Sequence, residues 1–335
     1  MDDTELRRNR PQLRDHVVFG RGAVAAKARV KILGASAGGG FPQWNCGCPN
    51  CRGVREGTAR SVARTQSQVA LGVAGRWLLL NASPDLRSQI EATPELHPGG
   101  GVRHTPIEAV VLTNADLDHV LGLLLLREFE PLRLYSTPAV RSILTEDNSM
   151  FGMLRQFPEQ LAWCDVIPGR TFEPWARDGL ALGLRCTPLA VRGSYPAYVP
   201  AERRARLPPD QAVLGLLLET AEGGTLGYFP GLPDVDEAWL ERVERCDVLL
   251  VDGTFWTDDE LPRVRGGGRS AREMGHLPLS GPEGSLARLS RLAHPRKVFV
   301  HVNNTNPMLD EDGPEFRQVR EAGWEVARDG MELSL

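Results

Sequence analysis

The sequence predicts an α/β protein built as a four-layer αββα sandwich, two sheets face to face with helices outside. Two observations carry this. Apolar strands run into polar loops and then helices at several points, and strand-rich stretches occur in both halves of the chain. Neither a low-complexity linker nor an internal repeat divides the 335 residues, so 28–335 reads as one continuous domain with an ample core. Residues 1–27 read as a flexible extension. They begin acidic, then carry Arg7, Arg8, Arg10 and Arg14, and lack the apolar run and cleavage site of a signal peptide, so cytoplasm is the expected compartment.

Hydrophobic residues make up 41% and the formal net charge is −4. That balance offers no electrostatic case for nucleic acid or an anionic membrane. The apolar stretch around Val120–Leu126 is far too short to span a bilayer.

The elements can be justified in order. Ala28–Leu33 alternates as a strand and ends in the glycine-rich run 34–40, a tight active-site loop or a spacer for the cysteine cluster beside it. No phosphate-loop pattern is present there. Next comes Cys46-Gly47-Cys48-Pro49-Asn50-Cys51. Cysteines so close are poorly placed to bridge each other but suit thiolate ligation of a structural zinc. The fourth ligand must come from elsewhere, and Asn304 is a candidate. Gln68–Val73 and Arg76–Leu80 form a hairpin around Val73-Ala74-Gly75. Asp85 either caps the short helix Leu86–Glu91 or faces the active centre. His97 and His104 lie in an exposed loop.

The stretch Val110–Glu128, VVLTNADLDHVLGLLLLRE, is central. A buried strand feeds Asp116, Asp118 and His119, and an apolar helix follows. Two carboxylates and an imidazole at the end of a strand suit iron, manganese or zinc, although either Asp alone would also serve as an N-cap. Leu132–Tyr135 is a strand, and Thr137 caps the helix Pro138–Thr145. Residues 147–162 read as a helical insertion over the site. Trp163–Val166 and Phe172–Trp175 precede the strand pair of Leu180–Leu189. Arg192–Pro209 is a loop or lid whose arginines could meet an acidic substrate.

Ala212–Glu219 and Thr225–Phe229 pair antiparallel, and Asp236–Arg245 is an amphipathic helix. Val248–Val251 ends in Asp252, again a carboxylate at a strand's end. Pro262–Arg269 reads as mobile. His276 precedes a helix over Pro282–Ala293. His301 follows the strand Lys297–Val300, and its polar successors place it in a site loop. Trp324–Arg328 and Met331–Leu335 close the sheet. The sandwich would bring Asp116, Asp118, His119, Asp252, His276 and His301 to one edge.

The runs LGASAGGGFPQWNCGCPNCRG, ARTQSQVAL, LLNASPDLRSQI, TNADLDHVLGLL, VDGTFW, MGHLPLSG and HVNNTNP, in this order, resemble the coenzyme PQQ biosynthesis B family of the metallo-β-lactamase superfamily. The resemblance covers the chain from about Val30 onward. It implies the metallo-β-lactamase fold and a part in making pyrroloquinoline quinone (PQQ). Superfamily hydrolases carry H-x-H-x-D-H where this chain has Asn114-x-Asp116-x-Asp118-His119, and His301 falls on their last metal-ligand histidine. Their bridging aspartate is replaced by Pro230-Gly231. The resemblance thus implies one metal, Fe(II), held by His119, His301, Asp118 and Asp116, with Asp252 and His276 behind the ligands or on substrate. It further implies O2-dependent hydroxylation of the tyrosine ring of a Glu–Tyr precursor. A carrier of PQQ or its precursor, associated with transport, and a zinc-dependent hydrolase remain the alternatives. The chain also allows a homodimer.

Overall fold

Single strands with apolar residues on both faces demand cover on both sides, and this requirement sets the layers. Leu78 and Leu80 belong to one buried cluster while Leu79 between them belongs to another; Val248 and Leu250 alternate with Leu249 and Val251 in the same way, as do Val298 and Val300 with Phe299. One cluster fills the space between two sheets. The other lies between the sheets and the outer helices. Each fully buried Leu or Val stabilises the fold by roughly 1.5–3 kcal/mol.

The computed structural model describes residues 27–128, 130–155 and 160–335. Its strands are β1 (Arg29–Gly34), β2 (Gln68–Val73), β3 (Arg76–Leu80), β4 (Ile107–Val111), β5 (Leu132–Ser136), β6 (Leu161–Asp165), β7 (Leu184–Val191), β8 (Val213–Thr220), β9 (Thr225–Phe229), β10 (Val248–Asp252), β11 (Arg296–Val300), β12 (Trp324–Val326) and β13 (Met331–Ser334). They form a sheet of order β13-β1-β2-β3-β4-β5-β6 and another of order β12-β11-β10-β9-β8-β7. The four-layer αββα sandwich expected from the sequence is therefore present. β3 to β6 are parallel to one another, as are β9 to β12. Helices α1 (Pro49–Glu56), α2 (Leu86–Glu91), α3 (Leu117–Val120), α4 (Pro138–Thr145), α5 (Ala201–Arg204), α6 (Glu237–Val243), α7 (Glu260–Arg265), α8 (Ser285–Arg288) and α9 (Pro314–Glu321) complete it. None of them is long and apolar enough to cross a membrane.

Local chemistry explains the element ends. The β2–β3 turn is tight because Ala74 (φ 50°) and Gly75 (φ 79°) both take left-handed backbone, as a two-residue hairpin requires. Thr137 accepts from Val140 N at 3.2 Å and caps α4, with Pro138 at its first position.

Several expectations need correction. The apolar helix after His119 is only α3, and Leu121–Leu126 winds as a 3-10 helix. Gly122 presses against the loop after β3 and donates to Ala82 O at 2.9 Å. A side chain there would meet Ser83 O at 2.2 Å. The helix expected over 282–293 is reduced to α8, because Gly281, Pro282 and Gly284 break its start. Leu286, Leu289 and Leu292 are buried nonetheless. Pro49 starts a helix where a loop was expected, so Cys51 stands in the first turn of α1. Residues 262–265 of the expected mobile segment belong to α7, and 201–204 of the expected lid are α5. The stretch Leu180–Leu189, expected as a strand pair, holds one strand, β7, from Leu184 onward, and Phe172 and Trp175 make single bridges to Cys186 and Ala181. Asp85 caps no helix; its carboxylate instead accepts from Gln66 N at 2.9 Å and Gln66 Nε2 at 3.1 Å. The last two strands close different sheets, β12 the second and β13 the first. Of the expected insertion, Ser149–Arg155 is a 3-10 helix and 156–159 lie outside the described residues. The expected extension, up to residue 26, lies outside them too.

Candidate metal centre

Parallel strands deliver their C-terminal ends to one rim, and loops there are fixed by rigid elements behind them. β4 leads to Asp116, Asp118 and His119, β10 ends at Asp252, and β11 runs into His301. Ser36, in the loop after β1, bridges to both Gln66 and Val302 and donates from Oγ to Val302 O at 3.1 Å. That stitch ties the two sheets together beside the site. His276 enters from the segment after α7.

One carboxylate oxygen of Asp118 and one ring nitrogen each of His119 and His301 lie within 4.8 Å of one another. His119 is buried and uses Nδ1 on Asn114 Oδ1 at 2.8 Å. Its Nδ1 therefore carries the proton and Nε2 carries the lone pair. That Nε2 is buried and without a hydrogen-bond partner, an arrangement that is costly unless the nitrogen serves a ligand. Burial pushes the His119 imidazolium down to about 4, with Asp118 opposing, so the ring is neutral at neutral pH, as a metal ligand must be.

Asp118 Oδ2 and His301 Nε2 are 3.2 Å apart. Burial disfavours the charge on each, but the partners win: His119 and His301 hold the Asp118 carboxyl below its ordinary range, and Asp118 holds His301 above its own. Such a pair shares either a proton or a cation. His301 takes φ 56°, a left-handed backbone rare for a non-glycine residue and one that persists where surroundings enforce it.

Asp252 is fully buried and orients two histidines. Its Oδ2 accepts from His276 Nδ1 at 2.7 Å and from Leu232 N at 2.9 Å. Its Oδ1 accepts from Thr254 N at 3.0 Å and Thr254 Oγ1 at 2.5 Å. With its one proton given to Asp252, Thr254 Oγ1 accepts from His301 Nδ1 at 2.8 Å. The relay leaves Nε2 of both His276 and His301 for the cleft, where His301 shares a proton with Asp118 until a cation displaces it. The two rings stack with centroids 5.5 Å apart, and His119 meets His301 edge-on at 5.3 Å.

Asp116 lies beside this group rather than in it. It belongs to no set of donor atoms at ligand spacing among the described residues, and its Oδ2 accepts from Asn114 Nδ2 at 2.8 Å. Burial, then the negative Asp118, raise its carboxyl.

The sulfurs of Cys46, Cys48 and Cys51 also lie within 4.8 Å of one another. Burial raises the Cys46 thiol, but bonds from Cys48, Cys51 and Asn304 outweigh it and lower it overall, while burial pushes Cys48 up to about 12. Asn304 Nδ2 stands 3.1 Å from Cys46 Sγ and 3.3 Å from Cys51 Sγ. The three-thiol geometry fits a soft divalent ion such as zinc. Asn304 caps it from the His301 loop, so the two candidate sites are joined by three residues of backbone.

Some supporting residues escaped sequence reasoning. Thr254 gave no signal beyond its place after Asp252. Asn81 (φ 68°) receives Thr113 N at 2.8 Å and Thr113 Oγ1 at 3.0 Å, bracing the floor under His119. Gly38 passes so near Asp118 that an added methyl would stand 3.2 Å from Oδ2. Gly38 of the glycine run thus lies against the Asp118 loop. Gly38, Asp118, His119, Thr254, His276 and His301 line a cleft of about 1050 Å³.

Residues 76–302 match the model of the β-lactamase superfamily domain. The chain is 48% identical to coenzyme PQQ synthesis protein B of Azotobacter vinelandii over 308 residues, covering 91% of this chain and 99% of that protein. It is 46% identical to the protein of that name from Pseudomonas entomophila, with the same coverage. Among solved structures, Zn(2+)-bound PqqB from Methylobacterium extorquens superposes with a TM-score of 0.84 at 42% identity, covering 92% of this chain and all of that one. A diphosphatase of the PhnP family superposes with a TM-score of 0.64 at 18% identity, a likeness of fold alone.

Proposed function

This chain belongs to the coenzyme PQQ synthesis protein B family within the β-lactamase superfamily, and from that premise we propose that it uses iron and O2 to hydroxylate the tyrosine ring of a Glu–Tyr precursor of PQQ. The carrying observation is the donor set. Asn114 and Asp116 stand where superfamily hydrolases have histidines, and Pro230-Gly231 stands where they have a bridging aspartate. What remains is Asp118, His119 and His301, overlapping at His301 with a second set, Asp252 and His276; because Asp252 is already taken up by Leu232, Thr254 and His276, the free donors suit a single iron better than a zinc pair.

Asp118, His119 and His301 would hold the ion, with His276 next to them and Asp116 beside. Fe(II) bound there supplies the open positions and electron transfer that O2 chemistry needs. The protein's own part is placement. Asn114 and the Asp252–Thr254 relay fix the tautomers of His119, His276 and His301, so that each Nε2 lone pair faces the cleft. Tyr198 Oη donates to Ala115 O at 2.5 Å and holds the 192–200 segment against the motif loop. Phe255 and Tyr198 offer apolar walls for an aromatic ring. In the reaction a ring C–H becomes C–OH with one atom of O2. The other atom leaves as water, with two protons and two electrons from an external two-electron reductant. Cys46, Cys48 and Cys51 would hold structural zinc.

Anaerobic loading with Fe(II), addition of Glu–Tyr dipeptide and a reductant, and exposure to isotopically labelled O2 tests this. Labelled oxygen on the ring is the expected result. Absence of insertion at every iron loading overturns it. Tight binding without turnover, indifferent to substitution of Asp118 or His301, would instead identify a carrier.

A further inference from the structure

We propose that Arg192, Arg265 and Arg269 form a carboxylate-binding rim at the mouth of the metal cleft, selecting a small ligand with two or more carboxylates. The inference deepens the substrate reading above and rests on it only in taking the cleft as the place where substrate binds.

Arg265 lines the main cleft. A smaller cavity of about 120 Å³ adjoins it, sharing Asn114, Asp116 and His276 as walls, and Arg192 and Arg269 line this second cavity. Three exposed guanidiniums thus line two adjoining cavities in a chain whose overall formal charge is −4. Other arginines are already engaged. Arg263 pairs with Asp259 at 3.3 Å, Arg288 with Asp234 at 2.6 Å and Arg291 with Glu237 at 2.6 Å. Among the described residues no carboxylate pairs with Arg265 or Arg269. Arg192 acts on Asp234, which Arg288 already holds.

The tether between two of these arginines is Gly266-Gly267-Gly268, all at positive φ (76°, 140° and 121°) with open space around each. Side chains on either side of such a turn can adjust their separation to a ligand. Guanidinium matches carboxylate through paired parallel N–H donors. Asp116 and Asp118 line the inner part of the cleft, where a ligand's carboxylates find no paired guanidinium donors. An anionic ligand would therefore be oriented with its acids at the rim and its uncharged part toward the metal cluster.

The test is calorimetric, on zinc-loaded full-length protein without O2, comparing Glu–Tyr dipeptide with Gln–Tyr amide, which lacks both carboxylates. We expect the acid to bind at least about tenfold tighter, and the preference to shrink in high salt. In R265Q/R269Q and in R192Q it should fall to about threefold or less, with R265K/R269K retaining part of it. R263Q, which removes an already paired neighbour, should leave it intact. Equal affinity for the two probes overturns the rim. So does a preference unchanged in the Gln variants, or no binding of either probe at millimolar concentration. Preference for the acid without oxygen insertion would sink the hydroxylase reading and leave the rim standing; insertion with equal binding of both probes would do the reverse.

Discussion

His301 Nε2 and Asp118 Oδ2 meet at 3.2 Å although 183 positions separate them. Each comes from a different sheet, one after β11 and the other after β4. The contact exists only because the sheets close face to face. Both groups are buried, and the charges of each favour the other. A divalent ion would replace the shared proton and bind both at once.

Replacing Asp118 by Asn should therefore lower affinity for Fe(II) or Zn(II) by about 100-fold or more, since an anionic donor is lost at a cluster otherwise made of neutral imidazoles. Competition with a chromophoric chelator measures it. An unchanged affinity would place the ion elsewhere.

Thr254→Val keeps shape but removes the hydroxyl that links His301 Nδ1 to Asp252. Partners behind a ligating histidine typically contribute 10–100-fold in metal affinity, and a loss of about that size is expected. Thr254→Ser should restore most of it. If Val and Ser variants bind alike, the hydroxyl does not orient His301.

Much of this was readable beforehand because strand ends announce themselves. Apolar runs at 110–112, 248–251 and 297–300 each stop at a polar group, and the parallel topology then brings Asp118, Asp252 and His301 to one rim. Thr254 and Asn81 were not readable, since their roles depend on hydrogen bonds across chain separations of 47 and 32. α1 was not legible because the cysteine spacing points to a ligand loop, whereas Pro49 inside it starts a helix. The position of Asp116 was less legible. Its place in the motif suggested a ligand, yet Asn114 Nδ2 holds it to one side.

Stripping metal from the thiol cluster should destabilise the fold, because ligand binding to the native state alone adds about 2.7 kcal/mol at a hundredfold excess over Kd. Cys51→Ser should lower the melting temperature of zinc-loaded protein and abolish its response to zinc. Cys164→Ser, outside the cluster, should preserve that response. A zinc response retained in Cys51→Ser would remove the thiols from metal binding. Because Asn304 caps the cluster from the loop of His301, the same variant should also weaken binding at the second site.

Glu260 supplies a pH dependence of its own. It is buried on α7, accepts from Trp256 N and Thr305 Oγ1 at 2.5 Å each, and is pushed up to about 7 by burial, against those hydrogen bonds. A carboxyl raised in the folded state ionises more easily once unfolded. Stability from this group is thus full below about 4.5, falls as pH rises through the window from 4.5 to 7, and reaches its maximal loss above it. The loss is on the order of 3 kcal/mol. Denaturant titrations of wild type and Glu260→Gln at several pH values should diverge across that window, with the slope flatter in the variant. Parallel curves would mean that Glu260 ionises equally in both states, and that its bonds to Trp256 and Thr305 fully offset its burial.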